Sequence, residues 1–136
     1  MRKEWFMDKD LEKFFVEQYI NNEFQNRILY ELNSKKRLKG LMRFCHNINY
    51  FIKNKTIVNI LSNPSEDEIL KFFQKDNKEV YVLSFDFLEG KWFNIQEAIN
   101  HIFKENFFMI IISKQNVVIK PEVVTGKAEY YFLRGF

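Results

Sequence analysis

The spacing of apolar residues changes once along this chain, near Pro64, and that change confines it to a mixed architecture of helices and strands. Upstream of Pro64 the apolar residues recur mostly at the three- and four-residue steps of an amphipathic helix. Downstream, helical spacing is mixed with stretches that alternate or run together, as in strands covered on one face or on both. Only four Gly and two Pro occur among 136 residues, so few other sharp boundaries exist.

In the first half, Leu11, Phe15, Val16, Ile20, Phe24 and Ile28 form one stripe, which predicts a long helix over 10–32 with Asp8 or Asp10 as its cap. Asn33 and Ser34 interrupt the pattern, and Ser34 suits the N-cap of a second helix over about 35–53. Its core-facing stripe is Leu38, Leu41, Met42, Cys45, Ile48 and Ile52. Two helices joined by a short turn imply an antiparallel hairpin. Thr56 to Leu61 is β-branched in character and reads as a short strand, with a continuation of the helix as the alternative.

The second half opens on Ser65-Glu66-Asp67-Glu68, a capping box. A helix over about 65–75 follows, then a strand from Val80 to Phe87 whose two faces are Tyr81, Leu83, Phe85, Phe87 and Val80, Val82, Ser84, Asp86. Leu88-Glu89-Gly90 turns the chain, Trp92 and Phe93 fall in that turn, and Asn94 caps a helix to about Glu105. Phe107 to Ile112 is apolar on both faces and predicts a covered, central strand. Lys114-Gln115-Asn116 reads as a hairpin loop into a strand from Val117 to Lys120, which Pro121 places at an edge or a bulge. A turn at Thr125-Gly126-Lys127 leads to a last strand, Ala128 to Leu133.

The expected fold is therefore α+β: an N-terminal helical hairpin, then a small, mostly antiparallel sheet of about four strands with helices packed on it. One or two parallel pairs are allowed by the alternation at 56–112. Length implies a single domain over 1–136, with a helical half (1–63) and a mixed half (64–136). Sixteen Phe are expected to dominate the core energetics, each fully buried ring contributing about 1.5–3 kcal/mol relative to exposure. The lone cysteine, Cys45, allows no internal disulfide, and 1–10 carries no apolar leader; both imply a cytoplasmic protein. The longest apolar run, Phe107 to Ile112, is too short to span a bilayer, so no membrane partner is expected.

Charge placement carries the functional expectation. Lys, Asn, Ile and Phe share A/T-rich codons, so lysine abundance alone argues nothing. Its distribution does: from Leu32 to Ser65 there is no carboxylate, yet Lys35, Lys36, Arg37, Lys39, Arg43, Lys53 and Lys55 all occur there. Glu31 and the Glu66-Asp67-Glu68 run bracket this window. At ~100° per residue, Lys35, Lys36, Lys39, Arg43, His46, Tyr50 and Lys53 share the outer side of the second predicted helix. Surfaces ordinarily mix both signs, so an unmixed stripe implies something negative nearby. The bland account is a solvated face, salt-bridged to Glu17, Glu23 or Glu31 of the first helix.

The motif inventory is otherwise thin. No P-loop, GxGxxG or GxSxG occurs. Cys45 and His46 are neighbours, but adjacent residues on a helix do not face each other, so they do not make a nucleophile–base pair. His46 and His101 are the only histidines and lack ligand-type partners at metal spacing, so neither metal nor cofactor is expected. Ser84, Asp86 and His101 are the side chains from which an enzyme without a motif would have to be built.

The sequence thus leads to a non-catalytic protein-binding module, of the kind used as small bacterial adaptors or toxin-neutralising immunity proteins. Its basic helix would meet an acidic protein partner. A nucleic-acid-binding protein using the same stripe is the alternative, and an enzyme built around Ser84, Asp86 and His101 is the third reading. A homodimer through an edge strand is compatible with each.

Overall fold

Asp8 starts the first helix: its Oδ1 accepts from the Leu11 N–H at 3.0 Å, satisfying a donor that the first turn leaves open. The computed structural model describes residues 7–73, 78–85, 89–104, 107–113, 115–122 and 128–135. In chain order the elements are α1 (Lys9–Tyr19), α2 (Asn22–Leu32), α3 (Arg37–His46), α4 (Ile48–Phe51), a 3₁₀ turn (Asn54–Thr56), β1 (Ile57–Ser62) and α5 (Glu66–Phe73). There follow β2 (Glu79–Ser84), β3 (Lys91–Asn94), α6 (Ile95–Lys104), β4 (Met109–Ile112), β5 (Asn116–Lys120) and β6 (Glu129–Arg134).

The α+β class is as expected, with the helices leading, but among the described residues the sheet has six strands rather than about four, in the order β1-β6-β5-β4-β2-β3. Every ladder is antiparallel, so the room left for parallel pairs is not used. The sheet separates two apolar layers. On one face α1 to α4 bring Phe15, Tyr19, Ile28, Phe44 and Phe51 onto Tyr81, Leu83, Ile110, Ile119 and Leu133. On the other, α5 and α6 bring Ile69, Phe73, Ile99 and Ile102 onto Val80, Val82, Ile111, Val118 and Phe132. Strand alternation divides β2 and β4 between the two layers, which is why both read as apolar throughout.

Two predicted helices are each broken, at points that meet. The helix expected over 10–32 stops at Ile20, and the one expected over 35–53 stops at Asn47 and again at Ile52. Ile20 and Ile52 form an antiparallel bridge. The Asn21 N–H donates to Phe51 O at 2.8 Å and the Lys53 N–H to Tyr19 O at 2.8 Å. Asn21 Nδ2 donates to the carbonyls of Tyr50 and Ile52, both at 3.2 Å. Extended backbone across the two breaks thus satisfies groups that continuous helices would have paired internally. Asn47 ends α3 by turning its Nδ2 onto Arg43 O at 3.1 Å, and Ser34 lies outside α3, whose N-cap is Lys36.

Other local expectations divide by the range of the signal. The capping box is formed: Glu68 N–H donates to Ser65 Oγ at 3.1 Å and Ser65 N–H to Glu68 Oε1 at 2.8 Å. Asn94 Oδ1 accepts from the Gln96 N–H at 2.8 Å at the head of α6. Residues 57–62 are strand, and the apolar run before Ser113 is central, paired on both sides. Trp92 and Phe93, expected in a turn, lie on edge strand β3 opposite Tyr81 and Val80. Lys120 precedes Pro121 on β5, yet β5 is interior, between β4 and β6; the strand ends before the proline. Gly90, with φ of +71°, supplies the left-handed backbone at the β2–β3 turn. The end of the 65–75 helix, residues 86–88, Glu105 and the Thr125-Gly126-Lys127 turn lie wholly or in part outside the described residues.

Candidate functional site

The cations of the acid-free window divide into those the fold uses and those it leaves in water. Arg37 is used most completely. It sits in the first turn of α3 beneath the β2–β3 turn. Its Nη1 donates to Glu12 Oε1 at 2.8 Å and its Nη2 to Glu12 Oε2 at 2.5 Å. Its Nε and Nη2 reach Glu89 at 3.0 and 2.8 Å, and its Nη1 also reaches Leu32 O at 3.0 Å.

The Glu12 side chain is 2 % exposed, and the Tyr81 hydroxyl donates to its Oε2 at 2.6 Å while accepting from the Asp8 N–H at 3.0 Å. Burial alone would raise the Glu12 pKa, but the hydrogen bonds from Arg37 and Tyr81, with the Arg37 charge, outweigh it and hold the carboxyl below its ordinary value. Burial likewise works against the Arg37 charge, and Glu12 and Glu89 overcome it, so the guanidinium stays charged. Burial and the adjacent Glu12 carboxylate drive the Tyr81 hydroxyl up, keeping it a donor. This cluster joins α1, α3, β2 and the β2–β3 turn. Nothing about it is exposed enough to be a docking surface.

Of the seven stripe residues, Arg43 closes on Glu31 with Nη1–Oε2 at 2.8 Å and Nη2–Oε1 at 2.5 Å, so one of the expected cross-helix acids is engaged. The Glu31 hydrogen bonds raise the Arg43 pKa above its ordinary value. His46 Nε2 lies 2.9 Å from Glu122 Oε2, at the rim of a hollow of about 260 Å³ lined by Met42, Phe85, Phe107 and Phe108. Tyr50 is exposed on α4, with its ring 4.8 Å from Phe24 and 5.1 Å from Phe51 between centroids. Lys53 donates to Glu17 O at 2.8 Å, binding a backbone carbonyl of α1 rather than its carboxylate.

Lys35, Lys36 and Lys39 remain. All three are exposed, and none forms an ion pair among the described residues. Lys35 and Lys36 sit in the turn before α3 and Lys39 in its first turns. Because the predicted helix is broken at Asn47, the seven residues do not share one rod: three gather at the α2–α3 turn, Arg43 and His46 lie further along α3, Tyr50 is on α4 and Lys53 follows it. Tyr30 in the last turn of α2 is 63 % exposed and Leu38 in the first turn of α3 is 38 % exposed, so apolar surface flanks the lysines on both sides of the turn. Composition alone did not single out Tyr30; its signal is an aromatic residue off the apolar stripe of its helix.

The side chains of the third reading sit on different elements. Ser84 is fully buried at the end of β2, His101 is half-buried on α6, and Asp86 lies outside the described residues. Cys45 is buried in the helical layer, and burial pushes its thiol pKa up, away from a nucleophilic thiolate. Among the described residues no three His, Cys, Asp or Glu side chains are grouped as a metal would require, and no helix is long and apolar enough to cross a membrane. Comparison with protein-family models, with curated proteins and with solved structures finds no match.

Proposed function

We propose that the chain is a non-catalytic protein-binding module that meets an acidic protein surface with the α2–α3 turn. The observation that carries this reading is the exposure of Lys35, Lys36 and Lys39, without ion-pair partners among the described residues, between exposed Tyr30 and Leu38. Three clustered cations steer an acidic partner and set its register, while burial of the aromatic and aliphatic groups supplies most of the depth. Lys35 and Lys36 also oppose the helix dipole, a local cost that a bound carboxylate would offset. Arg43 takes no part, because its charge is already met by Glu31. Small adaptors and toxin-immunity proteins work in this way, with surface chemistry and no sequence motif.

Affinity capture from the native host with the wild-type chain and with Lys35→Glu/Lys36→Glu/Lys39→Glu tests the proposal. A partner of acidic surface recovered by the wild type, and lost by the triple variant with its circular dichroism unchanged, is the expected result. Equal recovery by both chains, or recovery only of nucleic acid that nuclease removes, would overturn it.

A further inference from the structure

We infer that β1 pairs antiparallel with β1 of a second copy of this chain, joining two sheets across a two-fold axis. The two sheet edges are built differently. β3, at one edge, is four residues long and begins with Lys91. β1, at the other, spans six residues, Ile57-Val58-Asn59-Ile60-Leu61-Ser62, without a charge or a proline. Natural edge strands are usually shortened, charged or covered to prevent such pairing. Here Val58 is 51 % and Ile60 41 % exposed, and among the described residues the sheet ends at β1. A bulge interrupts the ladder between Ile57 and Asn59, but from Asn59 to Ser62 the register with β6 is regular. Asn59 Oδ1 accepts from the Ile60 N–H at 2.9 Å, a side-chain bond that a carbonyl of an incoming strand would replace.

Charge selects a second copy and the antiparallel direction. Lys53 and Lys55 precede the strand, and Glu66, Asp67 and Glu68 follow it. In an antiparallel pair the lysine end of each strand lies at the acidic end of the other, twice by symmetry. A parallel pair would bring lysines onto lysines. Centring the axis on Ile60 sets its side chain against its own copy, on the face where its neighbour Tyr131 is only half-buried. This surface is separate from the α2–α3 turn, so the inference stands or falls apart from the proposed function.

Sedimentation velocity up to about 1 mM, the weak end of measurable association, provides the test. The wild type is expected to exceed its 16.7 kDa monomer mass as concentration rises. Ile60→Lys places like charges across the axis and is expected to weaken association at least about tenfold with unchanged circular dichroism. Lys55→Glu and Asp67→Lys should each weaken it, and the double variant should restore it. A wild type that stays monomeric throughout would overturn the inference. So would a dimer that all these variants leave unchanged, which would locate the contact elsewhere. Association only with a strand of another protein, and never with itself, would also overturn it.

Discussion

Gly40 of α3 leaves the space that the Glu31 side chain of α2 fills: a Cβ at position 40 would fall 2.8 Å from Glu31 Oε1 and 3.0 Å from Glu31 Cβ. The Glu31 carboxylate cannot simply swing aside, because Arg43 holds both of its oxygens. Glycine thus sets the approach of two helices and the position of one ion pair together. Gly40→Ala gains about 1 kcal/mol of helix propensity and meets an overpacking cost of about 1–3 kcal/mol. The expected outcome is a net loss of stability, read as a lower urea midpoint with an unchanged slope.

Neighbouring cations should behave oppositely. Arg37→Met leaves Glu12 buried with its main counter-charge removed, a loss of about 3–5 kcal/mol by the usual cost of breaking a buried pair. Lys36→Ala, on an exposed side chain, should shift stability by no more than about 0.5 kcal/mol. Chemical denaturation of the two variants side by side checks the contrast. Similar losses in both would mean that the ion cluster does not hold the hairpin to the sheet.

Acid should weaken the fold through Glu12. Its pKa in the folded chain lies below the ordinary 4.5, so the unfolded chain takes up that proton more readily. The stabilisation is therefore complete above about pH 4.5 and is lost as pH falls through the lowered folded-state value. Melting temperatures of the wild type and Glu12→Gln, measured from neutral to acidic pH, should converge on the acid side. A constant gap between them would remove Glu12 as the source.

Cys45 is 2 % exposed with its thiol pKa pushed up by burial. A thiol reagent should leave the native chain unmodified and label one group per chain in denaturant. Rapid labelling of the native protein would contradict the packing of α3 against α1 and the sheet.

Signals that act within one turn or one strand are legible in the sequence itself. The Ser65–Glu68 capping box joins residues three apart, and the apolar run at 107–112 announces a covered strand through its own side chains. Trp92 and Phe93 were misplaced because β3 is short and has little pattern of its own; pairing with Tyr81 and Val80 makes it a strand. Pro121 predicts an edge or a bulge for β5, but a proline just beyond a strand leaves the ladder bonds within it intact, and β5 is interior.

The amino-acid order by itself determined the α+β class, the helical lead, most strand positions and the uneven charge. Those follow from periodicity and side-chain type, which act locally. Only the tertiary structure decided where the long helical patterns break, since the backbone N–H groups of Asn21 and Lys53 bond to carbonyls at least thirty residues away in sequence rather than within a helix. It alone decided which cations face water. Arg37 reaches Glu89 across 52 residues and His46 reaches Glu122 across 76. Charge interaction depends on distance in space, and chain order does not specify that distance until the sheet has brought the partners together.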